Sequence, residues 1–312
     1  MFFISFLSHH VALFRRSLRC IFPVFAISAF LLLPLNVFAD EDEPDSLVTL
    51  LSADDISLSS PWIQLEKGLE FHLFSLNESG TARLAVLRID PEYYEFRLHT
   101  VSELGGRPRS LRRWAQTRNL TAAINAAMYL PDYKTSTAYL RQDNHINNGR
   151  IVRNYSSFFQ AEPMNEALPR AQVCDREVSP CRERIEEYRC VVQNFRIIDG
   201  QRHVAWNGFD RAVPISAIGK DGSGRILFMH CREAVKVRVF AKKLLELPID
   251  VRGVMYVEGG AQAGLMVATE KLTHLWAGRH AADVLTPVAD FAPLPNILGI
   301  TPRKRKDGEQ AK

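Results

Sequence analysis

Between residues 62 and 76, and again between 82 and 89, apolar and polar positions alternate along the chain, the two-residue period of half-buried strands. Asn77-Glu78-Ser79-Gly80 between them is turn chemistry, so the two runs are expected to form a hairpin. Residues 95–101 continue as a third strand, ended by Gly105-Gly106. The period then changes. Leu111, Trp114 and Ala115 recur at helical spacing behind Ser110, a residue suited to accept the free N–H groups of a helix start. Residues 121–125 are small and apolar and are placed in a sheet interior. Strand patterning returns at 190–198, 214–219, 225–230, 251–257, 264–269 and 296–301. Asp199-Gly200 and Asp221-Gly222 are hairpin signals, and the second joins 214–219 to 225–230. Residues 237–247 carry Val239, Phe240, Leu244 and Leu245 and read as a helix stopped by Pro248. The stretch 131–189 is polar, irregular and rich in arginine, and reads as long loops. Many strands with two or three helices predict a single α+β domain, 62–301, on a large mixed, mainly antiparallel sheet.

The N-terminus follows other rules. Arg15, Arg16 and Arg19 precede an apolar run over 21–35, and Val37-Phe38-Ala39 offers a small-x-small cleavage pattern. That predicts a signal peptide over 1–39, cleaved after Ala39, with an uncleaved anchor as the alternative. A periplasmic or secreted protein with no stable membrane span after cleavage is the expectation. Residues 40–61 form an acidic leader, expected to be flexible, and 302–312 a basic tail, expected to be disordered. Losing the three signal arginines lowers the formal charge from +4 to +1. Without a basic helix or stacking motif, nothing points to nucleic acid. Export leaves four cysteines, and an even number in an oxidising compartment favours two disulfides. Cys174 and Cys181 are close enough to pair locally, and Cys190 and Cys231, each ending a strand-like run, are positioned to tie neighbouring strands; three pairings remain open. No Cys-x-x-Cys knuckle and no histidine spacing indicates a metal, so none is expected, and His145, His203 and His230 read as structural.

The chemistry concentrates in Val254-Met255-Tyr256-Val257-Glu258-Gly259-Gly260, an apolar run delivering one carboxylate onto a double glycine. A carboxylate at a strand exit is costly unless it is solvated, hydrogen-bonded or working. Asn125-Ala126-Ala127-Met128-Tyr129 is the second unusual segment. Gln193-Asn194 through Asp199-Gly200, Arg211 ahead of 212–219, Gly219-Lys220-Asp221-Gly222 and Asn296-Ile297-Leu298-Gly299-Ile300 complete the set. In order and spacing, from about 120 to 300, these segments resemble the phosphodiester glycosidase family, relatives of the uncovering enzyme that removes N-acetylglucosamine from a phosphodiester.

The resemblance implies cleavage at an anomeric carbon through an oxocarbenium-like state, with a sugar phosphodiester or envelope glycan as partner and no cofactor. It implies Glu258 as the principal carboxylate, Arg211 as a bidentate phosphate clamp, and Asn125 and Gln193 as groups that position oxygens. Gly259 and Gly260 would let the backbone approach the ligand. Met128 and Tyr129 read first as packing, with Tyr129 as a candidate to stack on a sugar ring. The chain departs from the family pattern at Glu258 (Asp in the family), Gln262 (Ser) and Ala127 (Gly), and Thr135-Ser136-Thr137-Ala138-Tyr139 replaces a Pro-x-Gly-Leu segment. A carboxylate one methylene longer shifts the reacting group. Two readings follow: an exported hydrolase, or a non-catalytic relative that keeps the cleft to bind a glycan.

Overall fold

The computed structural model describes residues 62–177, 180–278 and 293–304. The expected signal peptide, the acidic leader and residues 305–312 of the tail lie outside the described residues. The strands in chain order are β1 (Ile63–Glu66), β2 (Leu69–Ser75), β3 (Arg83–Ile89), β4 (Tyr94–Thr100), β5 (Ala122–Asn125), β6 (Leu140–Gln142), β7 (His145–Asn148), β8 (Ser157–Pro163) and β9 (Ala171–Asp175). They continue as β10 (Tyr188–Asn194), β11 (Arg196–Ile198), β12 (Ala212–Asp221), β13 (Ile226–Lys236), β14 (Val251–Gly259), β15 (Gly264–Ala268), β16 (Thr273–Ala277) and β17 (Asn296–Pro302). The helices are α1 (Val101–Leu104), α2 (Leu111–Arg118) and α3 (Val237–Glu246).

The described residues form one α+β domain, as expected, and its strands divide among three sheets. A seven-stranded sheet runs β1-β2-β3-β13-β12-β14-β11; two five-stranded sheets run β7-β6-β10-β8-β9 and β16-β15-β5-β17-β4. Among the described strands the pairings are antiparallel. The three sheets enclose a shared apolar core that includes Phe71, Phe96, Ile124, Phe159, Val192, Phe228, Met255 and Leu298. The opposite face of the seven-stranded sheet is covered by α3, whose Val237, Phe240, Ala241 and Leu244 recur at helical spacing and are all buried. Helix α2 covers the third sheet with Leu111, Trp114 and Ala115, and the Ser110 hydroxyl accepts the Arg113 N–H at 3.2 Å to start it.

Four differences from the sequence reading have physical causes. The run 62–76 is itself a hairpin, β1 folding onto β2. The stretch 131–189 holds β6 to β9 rather than long loops. Its amides are buried as hydrogen-bonding parts of the second sheet, which hides the alternation: Gln142 accepts the Leu98 N–H at 2.9 Å and Gln160 donates to the Cys181 carbonyl at 2.7 Å. The tail begins later than 302. Pro302 closes β17, and the Arg303 guanidinium grips Glu162 with two bonds of 2.7 Å. Finally, Cys174 and Cys181 form the local disulfide, but Cys190 and Cys231 are free, buried thiols. The tie between them fails because Cys190 on β10 faces the shared core while Cys231 on β13 faces the α3 side of the seven-stranded sheet. Among the described residues no helix is long and apolar enough to cross a membrane, and no His, Cys, Asp and Glu cluster could hold a metal ion.

Candidate functional site

The carboxylate of interest is aimed by a break in strand register. β12 pairs Ser216 with Glu258 and Ala217 with Tyr256, so one extra residue, Val257, bulges from β14 just before its end. A bulge of this kind re-aims the side chains beyond it. Glu258 thereby shares the face of Ser216 and, across β13, of His230, the face that lines the shared core. At Gly259 an added Cβ would run into the Tyr256 hydroxyl, so a larger residue there would need that phenol to shift. Gly260 then turns the chain at φ +77°, a conformation that favours glycine.

Glu258 keeps partial exposure. Its carboxylate accepts the neighbouring Gly259 N–H on Oε1 at 2.9 Å. Burial raises its pKa to about 7, against the smaller lowering effect of that N–H. Two phenols sense the charge. Tyr129 is pushed up to about 12 by burial, then by Glu258 and Tyr133. Tyr256 is raised by burial and by Glu258, with the Arg211 guanidinium opposing. Both the acid and the arginine thus act on Tyr256. Its position two residues before Glu258 is a signal the sequence carried.

The third sheet braces the site from the other side. Asn125, at the end of β5, donates to the Gln262 carbonyl and accepts the Gly264 N–H, both at 2.8 Å. It therefore clamps the turn that follows Glu258, a buried amide satisfying backbone groups. The Asn296 side chain on β17 accepts the Ala127 N–H at 2.9 Å and so fixes the segment leading to Tyr129. Ser216 hydrogen-bonds His230 Nδ1 at 3.1 Å and the Gly264 carbonyl at 3.3 Å. His230 is held neutral, its pKa pushed down to about 3 by burial and then by Arg232. The register counted from the Asp221-Gly222 turn places Ser216 opposite His230, so this pair was within reach of sequence reasoning.

The remaining expected residues are more dispersed. Arg211 is exposed on the approach to β12, with its guanidinium 5.3 Å from the Phe209 ring centroid. It lies at the same end of the sheet as Glu258 and, among the described residues, makes no ion pair with it. Gln193 is buried, and both ends of its amide are occupied: Oε1 accepts the Val152 N–H at 2.9 Å, and Nε2 donates to the Val152 and Tyr155 carbonyls at 2.7 Å. It holds the 152–155 turn in place of an external oxygen. A cavity of about 540 Å³ lined by Asp90, Arg170, Lys220 and Arg225 lies toward the other end of β12, and none of the expected site residues borders it.

The sequence profile described as phosphodiester glycosidase matches residues 118–301. No curated protein matches the chain. Among solved structures, the catalytic domain of zebrafish N-acetylglucosamine-1-phosphodiester alpha-N-acetylglucosaminidase, auto-inhibited by its pro-peptide, superposes with a TM-score of 0.56 at 13% identity, over 79% of this chain and 86% of that one. A hypothetical protein from Synechocystis gives 0.55 at 13% identity, over 78% of this chain and 64% of that one. At these identities the likeness is one of fold.

Proposed function

The chain belongs to the phosphodiester glycosidase family, a family of hydrolases, and on that premise we propose that it is an exported enzyme that releases a sugar from a sugar-1-phosphodiester of an envelope or extracellular glycan. The observation that carries the reading is Glu258: a carboxyl at a bulged strand end, enclosed enough to titrate at about 7, with no cation among the described residues paired to it. Such a group can stabilise or attack positive charge developing at an anomeric carbon, and a low-dielectric setting strengthens that effect. A phosphodiester is already a good leaving group, so the ionised form of Glu258 does the work. Arg211 is the phosphate clamp, its fork held beside the Phe209 ring. Asn125 and Gln193 serve as positioning residues through the backbone segments they hold, and Tyr129 presents a ring next to the carboxylate. Gly259 and Gly260 let the backbone turn closely there. The Cys174–Cys181 disulfide favours an oxidising compartment and supports export.

The test is turnover of a panel of sugar-1-phosphodiesters by the purified chain and by Glu258→Gln. The expected result is sugar release that rises with pH through about 7 and falls roughly 10²–10⁴-fold in the variant. Wild-type levels of release by Glu258→Gln would remove the residue from the chemistry. Release by neither protein would leave the non-catalytic, glycan-binding relative.

A further inference from the structure

The loop joining β5 to β6 presents an aromatic side chain under unusual constraint. Tyr133 is 58% exposed and sits at φ +53°, a left-handed conformation that bulky L-residues avoid. Leu130 beside it is 40% exposed. A tyrosine that merely decorated a surface loop would relax or give way to Gly or Asn, because such strain persists only where the surroundings over-determine it.

Here they do. The Asp132 carboxylate accepts the Lys134 and Thr135 N–H groups at 3.0 and 2.9 Å, and the Thr135 hydroxyl at 2.6 Å. Tyr133 donates its own N–H to the Leu130 carbonyl at 3.0 Å, and Leu130 donates to the Thr135 carbonyl at 2.7 Å. Two asparagines of β7 pin the far side. Asn147 accepts the Ser136 N–H at 2.8 Å and donates to the Lys134 carbonyl at 3.0 Å, and Asn148 donates to the Ser136 carbonyl at 2.7 Å. The loop is a rigid mount, and what it holds out to solvent is a ring. That ring lies 5.6 Å from the Tyr129 ring, centroid to centroid, with the planes 46° apart. Tyr129 in turn lies close enough to Glu258 for the carboxylate to raise its pKa.

We propose that Tyr133, together with Tyr129, forms an aromatic platform that stacks against a pyranose ring of the substrate beside Glu258. The proposal rests on the reading of Glu258 as the working carboxylate, and it assigns the substrate contact that sets affinity. Pyranose rings carry C–H bonds on one face that pack on an aromatic surface. A ring locked in place before binding loses little freedom on contact, so the mount converts backbone strain into preorganisation.

The experiment uses the full chain and measures binding in the Glu258→Gln background, so that turnover does not interfere. The probes are methyl phosphodiesters of glucose 1-phosphate, mannose 1-phosphate and N-acetylglucosamine 1-phosphate, with dimethyl phosphate as the ringless control. Tyr133→Asn removes the ring while supplying a residue tolerant of the left-handed conformation. Its melting temperature is therefore expected to equal or exceed that of the parent. Its affinity for ring-bearing probes should fall roughly two- to tenfold, the size of one aromatic contact, with no change for dimethyl phosphate. Tyr133→Phe and Tyr133→Trp should retain affinity. In the otherwise wild-type chain, Tyr133→Asn should raise KM and leave kcat nearly unchanged. Undiminished binding of every ring-bearing probe by Tyr133→Asn would overturn the platform even if Glu258→Gln abolishes turnover. Failure of any ring-bearing probe to bind the parent at millimolar concentration would overturn it too. Ring-dependent binding in a chain that turns nothing over would keep the platform and sink the catalytic reading instead.

Discussion

Replacing Glu258 with glutamine should make the protein more stable, and only at neutral to alkaline pH. The side chains match in size, and the glutamine oxygen can still accept the Gly259 N–H that Glu258 Oε1 accepts at 2.9 Å. What differs is charge. In the unfolded chain the carboxyl titrates at its ordinary value of 4.5; in the fold, burial raises it to about 7. Below 4.5 both states carry the proton, and Glu and Gln are equally neutral. Between the two values the folded state binds more protons than the unfolded state, so wild-type stability falls as pH rises, and the loss is complete above about 7. At 1.36 kcal/mol per pKa unit the gap is worth about 3 kcal/mol, an upper value because Glu258 keeps some contact with solvent. For a domain of this size that corresponds to roughly 6–12 °C in melting temperature. Calorimetry from pH 4 to 8.5 at constant ionic strength should show the two proteins melting together at pH 4 and Glu258→Gln pulling ahead through pH 5–7. Parallel curves across the whole range, or a wild type more stable than the variant at pH 8, would refute a desolvated carboxyl at this position.

Arg211→Lys keeps the charge but loses the planar fork, so KM for a sugar phosphodiester should rise about tenfold to a hundredfold with a smaller effect on kcat; an unchanged KM would dismiss the clamp. Asn125→Ala leaves the Gln262 carbonyl and the Gly264 N–H without their 2.8 Å partners. It should cost about 2–4 kcal/mol in denaturant melts and lower activity by loosening the turn after Glu258, whereas a variant of wild-type stability would mean the clamp is unimportant. Reduction of Cys174–Cys181, which closes a short loop, should cost about 2 kcal/mol. Burial pushes the Cys231 thiol up to about 12 and raises Cys190 as well, so both should ignore an aromatic disulfide reagent until the protein is denatured. Rapid labelling of either in the native protein would contradict their placement.

How far the sequence disclosed this fold depended on where each element's information resides. β12 and β13 were legible because Asp221-Gly222 fixes their turn and, through it, every cross-strand partner from Lys220–Ile226 to Ser216–His230. Helices α2 and α3 were legible because their buried residues recur at helical spacing. β6 to β9 were hidden, since strands of three to seven residues that bury Gln142, Gln160 and Ser157 do not show an apolar period. β16 was missed although Thr273, Trp276 and Ala277 are buried, because five residues give too few repeats of the alternation to stand out. The division into three sheets was also beyond reach: β5 lies between β15 and β17, neighbours set by strands far along the chain.

The site was legible as a set of residues but not as a set of roles, and the reason lies in hydrogen-bond capacity. Asn125, Gln193 and Glu258 look alike in the sequence, each a polar group at the end of a buried strand. In the fold, Asn125 has committed both ends of its amide to the turn at 262–264, and Gln193 has committed its own to the turn at 152–155. Amides committed to backbone groups in this way act on a ligand chiefly through the turns they hold. Glu258 is different: the bulge at Val257 turns it onto the face of Ser216 and His230, where burial raises its pKa to about 7 while the adjacent Gly259 N–H donates to it at 2.9 Å. That bulge depends on the pairing of β12 with β14, so no reading of residues 254–260 alone could have found it. The residues free to meet a substrate are those whose binding capacity the fold leaves open, and these include the half-buried ring of Tyr129, the exposed ring of Tyr133 and the exposed guanidinium of Arg211.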